Sequence, residues 1–495
     1  MRNSLKICFI APEVSPFVKG GPLAEIAGTL PIALKEMGHD VRVIMPNYKA
    51  VNERKYVLRD VIRLKDMDVQ LGSQTIKVSA KSAFLPDSKV QIYFIDHKGY
   101  FGREGLYRDP KSGKEYPDND ERFAAFCLGC VQTLRVLHWQ PDVIHCFEWP
   151  TGFFPLIFKT LFQADEFFQK THIAFSFDDF ENLALFPQET LQKIGIERLP
   201  NGELSGIITQ NKISLLKAGI LASDLLLFNS ESFVQEMLEQ ELVQKELAET
   251  LKANLHKVAG VVPGIPVKEW DPETDVHLPI NYSSRSIGKK NENKKALLTE
   301  IKMPYQSGTP LLGFVAPLEP EKGVDLLSQA AQRIGDLGAQ LVILETSEKS
   351  YTKELKKLAK THPHQVALLS KPDERLFHLT IAGIDMALFP SKIEPHGIEA
   401  LYCLKYGTIP IARATGVFKE VVLEFDPEKE TGNGFLFQDY TVEDFVDAVK
   451  RALAVYQDSK KWQKLMRNAL KQNFSWTTSA TKFSKLYAKM VGNKK

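Results

Sequence analysis

The amino-acid sequence predicts an α/β protein built from two doubly wound parallel sheets. Three observations carry this reading. Short apolar, β-branched runs alternate with longer helical patterns; the alternation lapses once, over residues 271–309; and it then restarts in the same style. Strand–helix alternation implies parallel strands covered by helices on both faces, and such strands read as near-continuous apolar runs.

Taken in order, the first runs are KICFIAP, DVRVIMP, VQIYFID, DVIHCF, HIAFSF and LLLFNS, each ended by Pro, Asp, Asn or Ser. They read as buried strands. Between the first two lies LAEIAGTLPIALKEMG, whose apolar spacing is helical and which closes on Gly38, a residue suited to the position after a helix. The polar stretch DPETDVHLPINYSSRSIGKKNENKK reads as an exposed connection followed by a helix. The runs PLLGFVAP, QLVILET, QVALLS, DMALFPS and TIPIA then rebuild a second sheet. The expected division is a first domain over 1–270, a linker over 271–309 and a second domain over 310–473. The tail, 474–495, contains TTSATKFSKLYAKMVG, an amphipathic helix with a Ser/Thr-rich start. In open α/β sheets ligands bind beyond the carboxyl ends of the strands, so two such domains are expected to share a cleft.

At 495 residues the chain has room for two or three domains. Sixty-three basic against 61 acidic residues leave a net charge of +2, which argues against nucleic-acid or anionic-membrane partners. Five scattered cysteines are an odd number, and the CLGC pair, Cys127 and Cys130, lies in a helical apolar pattern with no second Cys/His pair to answer it. They read as core, so neither a metal site nor a cofactor is expected. The N-terminal apolar run is too short for a signal-peptide core, and no run approaches 18 apolar residues. A reducing cytoplasm is the expected location.

Six stretches then carry a family likeness. KICFIAPEVSPFVKGGPLAEIAGTLPIAL, PDNDERFAAF, PDVIHCFEWPTGFFPLIFK, WDPETDVHLPINYS, PEKGVDLL and DMALFPSKIEPHGIEALYCLKYGTIPIARATG resemble, in order, bacterial glycogen synthases and plant starch synthases of glycosyltransferase family 5. The resemblance implies the GT-B fold, two Rossmann-like domains facing across a cleft. It also implies transfer of glucose from ADP-glucose to the end of an α-1,4-glucan with retention of configuration and without a metal. Such chemistry needs cations and helix N-termini on the departing diphosphate, and polar groups about an oxocarbenium-like sugar.

Against that pattern, residues are kept and lost. Lys19 matches the lysine of the family's KTGGL loop, followed here by Gly20 and Gly21, but the last glycine is Pro22, which has no N–H and cannot take a positive φ. Proline is welcome at the first position of a helix, so the fold accepts it. Where the family has His-Asp-Trp this chain has Phe147, Glu148 and Trp149; His145, two residues earlier on the strand, could face the same side but reads as a packed residue. Asp178 and Asp179 stand where the family carries His and Asn; they suit either acid/base work or capping of a loop. In the second domain Lys322 is kept, while the family's arginine position is Pro317, and ETSEKS, Glu345 to Ser350, replaces a glycine-rich turn. Glu394 and Gly397 match the carboxylate that meets the donor sugar and the glycine that opens a phosphate-binding helix. Glu399 replaces a small hydroxyl residue in the first turn of that helix, favouring the helix dipole but competing with a bound anion.

A lost hydrogen bond to a charged group costs about 1.5–3 kcal/mol. Three or four such losses with one added like charge total roughly 6–10 kcal/mol if additive, and half of that slows a reaction by about 10²–10⁴. Lys19, Lys322 and Glu394 favour a transferase with the family reaction. Phe147, Pro22, Pro317 and Glu399 favour a non-catalytic glucan-binding or regulatory relative, with ADP-glucose binding weak or absent and an active glycogen synthase as a possible partner. A transferase for another nucleotide sugar is a third reading.

Overall fold

The structure is a computed structural model, describing residues 4–492 except 181, 198, 200–202, 241 and 346–351. The chain forms two compact units. The first comprises Met1–Phe228, Met237–Val261 and Ser479–Lys495; the second comprises Asn229–Glu236 and Val262–Thr478.

In the first unit the sheet order is Val258–Gly260, Leu225–Phe228, His172–Ser176, Val143–Phe147, Lys6–Ile10, Asp40–Pro46, Gln91–Asp96, Gln74–Phe84 and Arg59–Asp60. Every pairing from Val258–Gly260 to Gln91–Asp96 is parallel, and those beyond it are antiparallel. The central strands are buried on both faces, which is why KICFI and VIHCF carry no alternation. The chain leaves Lys6–Ile10 towards Asp40–Pro46 on one side and later fills the other side from Val143–Phe147 outward. The switch point therefore lies beyond Ile10 and Phe147.

The helix Pro22–Glu36 covers the first crossover, burying Leu23, Ile26, Ala27, Leu30 and Leu34. Pro22 occupies its first turn, and Gly38 follows its end at φ +95°, the left-handed position that spares a glycine any Cβ clash. The C-terminal helix Trp476–Gly492 buries Phe483, Tyr487 and Met490. It docks through polar pairs as well: Ser484 Oγ lies 2.9 Å from His39 Nε2, and Tyr487 Oη lies 2.8 Å from His145 Nδ1.

The second unit is an all-parallel sheet in the order Val366–Ser370, Gln340–Glu345, Leu311–Phe314, Met386–Phe389, Ile409–Arg413, Phe435–Phe437. Its switch point falls between Leu311–Phe314 and Met386–Phe389. The segment Asn229–Glu236 joins this unit because Glu236 accepts hydrogen bonds from Thr415 Oγ1 at 2.7 Å and from the Gly416 N–H at 2.8 Å.

Two sequence expectations are corrected here. Trp270, expected to end the first domain, belongs to the second unit, where its indole stacks on His378 and on Tyr402, both at 3.8 Å. The stretch 271–309, expected as an exposed linker, is packed into the same unit: Tyr282, Ile287, Leu297, Leu298 and Met303 are in its core. Its Lys290 and Lys294 count as polar in the sequence but are bound inside. Lys290 Nζ donates to the Ala382 carbonyl at 2.6 Å, burial pulling its pKa down to about 7, and Lys294 pairs with Asp385 at 2.6 Å. All five cysteines are buried free thiols, as core residues would be, and burial pushes Cys8 up to about 12. Among the described residues no helix is long and apolar enough to cross a membrane.

Candidate functional site

The strands of the first unit deliver their ends to a pocket of about 450 Å³ at the switch point. Pro12 and Glu13 follow the strand Lys6–Ile10; Phe147, Glu148 and Trp149 close or follow Val143–Phe147; Asp178 and Asp179 follow His172–Ser176. Gly20, Gly21 and Pro22 form its wall at the start of the first helix. Gly20 lies directly over Glu13: a Cβ there would stand 2.0 Å from Glu13 Oε2, so no other residue fits without moving that carboxylate. Gly21 has open space and extended backbone, and it leads straight into Pro22, whose ring replaces a potential anion-binding N–H.

Lys19 does not line this pocket. Its side chain is mostly exposed and pairs with Glu25 at 2.5 Å. Phe147 is buried, with its ring 4.2 Å from that of His145, since residues two apart on a strand share a face. His145 is a packed residue: both ring nitrogens are committed, to Tyr487 Oη and to Ser176 Oγ at 2.8 Å each, and burial lowers its pKa to about 3. It stays neutral at physiological pH and has no nitrogen left for a ligand.

Sequence reasoning passed over several lining residues, among them Glu13, Tyr107 and Arg108. Tyr107 Oη donates to Glu13 Oε1 at 2.6 Å, and its ring sits 5.7 Å from that of Trp149. Glu13 directly follows the first strand, a position that carries its own signal; Tyr107 and Arg108 lie in a loop and carry none. Asp179 Oδ1 accepts the Asn182 N–H at 3.0 Å, capping the loop, while the Asp178 N–H donates to Glu148 Oε1 at 3.3 Å. Burial first, and the Asp178 charge second, push the Glu148 carboxyl well above its usual range. A pocket with carboxylates at Glu13, Glu115, Glu148, Asp178 and Asp179, aromatic faces at Tyr107 and Trp149, and Arg108 as its cation suits a polyhydroxylated neutral ligand better than a diphosphate.

Glu148 is also strained, at φ +63° and ψ 165°, a region that only glycine occupies freely. Glu148→Gly removes both the strain and the buried carboxyl. The expected result is a gain of about 1–3 kcal/mol in the stability of the first unit, read by denaturant unfolding; an unchanged or lowered midpoint contradicts it.

In the second unit Lys322 and Glu394 face each other across the switch point. Lys322 closes the turn Pro320–Lys322 after the first strand, and Glu394 follows Met386–Phe389. Lys322 Nζ lies 2.8 Å from both carboxylate oxygens of Glu394. Glu394 also accepts from Ser391 Oγ at 3.2 Å, the Gly397 N–H at 3.0 Å and the His396 N–H at 3.3 Å. Gly397, at φ +62°, caps the start of the helix Ile398–Lys405, so the Glu394 carboxylate takes the capping amide of Gly397 and the His396 amide just before it. Burial alone would raise the Glu394 pKa, but the Lys322 charge and these hydrogen bonds hold it below the usual carboxylate range. Glu399, in the first turn of the helix, is shifted up by burial against the pull of Lys322. Lys322 is kept protonated because Glu394 and Glu399 outweigh its burial. Pro317 is half-buried after the strand Leu311–Phe314 and supplies only a carbonyl, which accepts the Glu319 N–H at 2.9 Å. Residues 346–350, the expected replacement for a glycine-rich turn, lie outside the described residues.

Two doubly wound units, each with polar residues gathered at its switch point, match the domain plan of the GT-B fold. The sequence profile of the starch synthase catalytic domain matches residues 6–267, and that of the group 1 glycosyl transferases matches residues 300–472. The chain belongs to the glycogen and starch synthase family. It is 34% identical over 491 residues to the glycogen synthase of Pelodictyon phaeoclathratiforme, covering 99% of each chain. It is equally 34% identical, over the same length and coverage, to the glycogen synthase of Chlorobium phaeobacteroides. Among solved structures it is similar to the catalytic domain of starch synthase IV from Arabidopsis thaliana bound to ADP and acarbose, with a TM-score of 0.80, 27% identity, and coverage of 99% of this chain and 100% of that one.

Proposed function

We propose that this chain binds an α-1,4-glucan and transfers glucose from ADP-glucose slowly or not at all, acting as a glucan-binding or regulatory relative of working glycogen synthases. The observation that carries this is the closed state of the second unit's charges: Lys322 is spent on both oxygens of Glu394, with Glu399 beside it. A diphosphate arriving there would meet a lysine already paired with a carboxylate, the Gly397 and His396 amides taken by Glu394, and no arginine at Pro317. In the first unit the pocket offers sugar-binding aromatics and hydrogen-bond acceptors, which supports the glucan side of the proposal.

Under the family reaction the donor-handling residues would be Lys19, Gly20, Gly21, Lys322, Glu394 and Gly397, although Lys19 is turned out to Glu25, and Phe147 and Pro317 mark the two lost polar contacts. Retention of Lys322 and Glu394 at the switch point favours a second reading, the full family reaction. Calorimetry with ADP-glucose and separately with maltoheptaose, alongside incorporation of labelled glucose into glycogen, separates the two. The expected outcome is glucan binding without measurable donor binding. A turnover of roughly 1 s⁻¹ or more overturns the proposal.

A further inference from the structure

Away from both switch points, three side chains of the second unit converge on one spot. His277, Glu374 and His378 each bring a ligand atom within 4.8 Å of the other two. Glu374 and His378 are four residues apart on the helix Glu374–Gly383 and so share a face. That helix is anchored at its start by Asp373, whose side chain accepts the Leu376 N–H at 2.7 Å. His277 reaches the same spot from the packed stretch that follows Trp270.

One buried carboxylate holds the imidazole of His378 and the backbone of His277. Asp275 is 3% exposed. Its Oδ2 accepts from His378 Nδ1 at 2.8 Å and from Tyr406 Oη at 2.5 Å, while its Oδ1 accepts the backbone N–H of His277 at 2.9 Å. With Nδ1 turned to Asp275, Nε2 is the ring nitrogen of His378 that remains for a ligand. Trp270 stacks on the same ring at 3.8 Å and 19°, fixing its plane. The His277 ring stands 4.7 Å from it. This carboxylate–imidazole arrangement orients metal-binding histidines in general, by setting tautomer and direction.

We propose that His277, Glu374 and His378 form a binding site for a divalent transition-metal ion, with Zn²⁺ the best match. Two imidazole nitrogens and one carboxylate suit a borderline ion, whereas Mg²⁺ and Ca²⁺ favour all-oxygen shells. A tetrahedral ion at about 2.0–2.1 Å from each ligand needs ligand atoms roughly 3.4 Å apart. His378 is held in place, so the half-exposed His277 and exposed Glu374 close the remaining distance by side-chain rotation. Solvent supplies the fourth ligand on the exposed side. The ion ties the stretch after Trp270 to the helix Glu374–Gly383 and thereby stabilises the second unit. This proposal is independent of the donor and glucan reading.

The test uses the full chain stripped with a chelator and titrated with ZnCl₂, and with CoCl₂ for the visible absorption of a four-coordinate site. The expected result is one tightly bound ion per chain and a thermal midpoint that rises with Zn²⁺ but not with Mg²⁺. His277→Ala and Glu374→Gln each weaken binding by at least about tenfold, the scale set by loss of ligand-shell groups. Both residues lie outside the core, so circular dichroism of the variants should match the parent. Absence of a stoichiometric ion in the parent, or binding of equal strength in the double variant, overturns the assignment.

Discussion

Introducing Pro22→Gly, Phe147→His, Pro317→Arg and Glu399→Thr together raises glucose incorporation from ADP-glucose by about 10²–10⁴ and strengthens ADP binding in parallel. The physical basis is additive in kind. Glycine at 22 restores a backbone N–H beside the pocket, histidine at 147 puts a polar edge where a phenyl ring now stands, and arginine at 317 brings a fixed cation to the second switch point. Threonine at 399 removes the carboxylate that competes for Lys322. Each restored contact to a charged group is worth about 1.5–3 kcal/mol before losses from coupling. Of the four, Glu399→Thr should improve ADP affinity alone, because it frees part of the Lys322 charge without moving the backbone. ADP binding at micromolar levels in the parent, unchanged in the quadruple variant, would show that the losses are compensated elsewhere.

The second large effect concerns stability. Lys322→Met removes one partner of a buried ion pair and leaves Glu394, which is 1% exposed, without its counter-charge and next to Glu399. Such a break costs about 3–5 kcal/mol at neutral pH. The sign of the pH dependence also inverts. In the parent the folded-state pKa of Glu394 is depressed, so its contribution is fully present above the unfolded value of about 4.5 and is lost as pH falls through the folded value. In the variant, burial without Lys322 raises that pKa. The penalty then stands at pH 7 and fades as pH falls towards 4.5. Hydrogen exchange at the Gly397 amide, together with denaturant unfolding at pH 7 and pH 4.5, reads both effects. A gap between parent and variant that widens on acidification contradicts the argument. Lys322→Met with Glu394→Gln recovers much of the loss, since no buried charge is then unpaired.

The central strands were legible because parallel strands covered on both faces must be apolar throughout; KICFI, VIHCF and LLGF need no partner information to be recognised. The hairpin Met67–Leu71 with Gln74–Phe84 escaped because an antiparallel pair with one open face alternates polar and apolar residues, and its Lys77 and Lys81 dilute the signal. The edge strands Val258–Gly260 and Phe435–Phe437 are three residues each, too short for a period. Lys290 and Lys294 count as surface residues in any pattern, yet their amines are bound inside. At the site, residue identity was readable and state was not. Sequence placed Lys322 and Glu394 as donor-site candidates, but nothing local announces that residues 72 positions apart share a bidentate contact. Likewise the strain at Glu148 arises from the turn it makes after its strand, not from its side-chain type.

The docking of Trp476–Gly492 through Tyr487 and Ser484 has a consequence for biosynthesis. The first unit is not complete until its final segment, Ser479–Lys495, has left the ribosome, because His145 Nδ1 and His39 Nε2 find their partners only there. The residues between Val261 and Ser479 take roughly 10–40 s to add at about 5–20 residues per second. Throughout that interval the N-terminal sheet exists without its closing helix, with His145 Nδ1 open to water. The second unit, by contrast, has every one of its residues in hand by Thr478. The domain begun first is thus finished last, and a chain stalled anywhere after Val261 carries an unsealed apolar face that a holding chaperone can recognise.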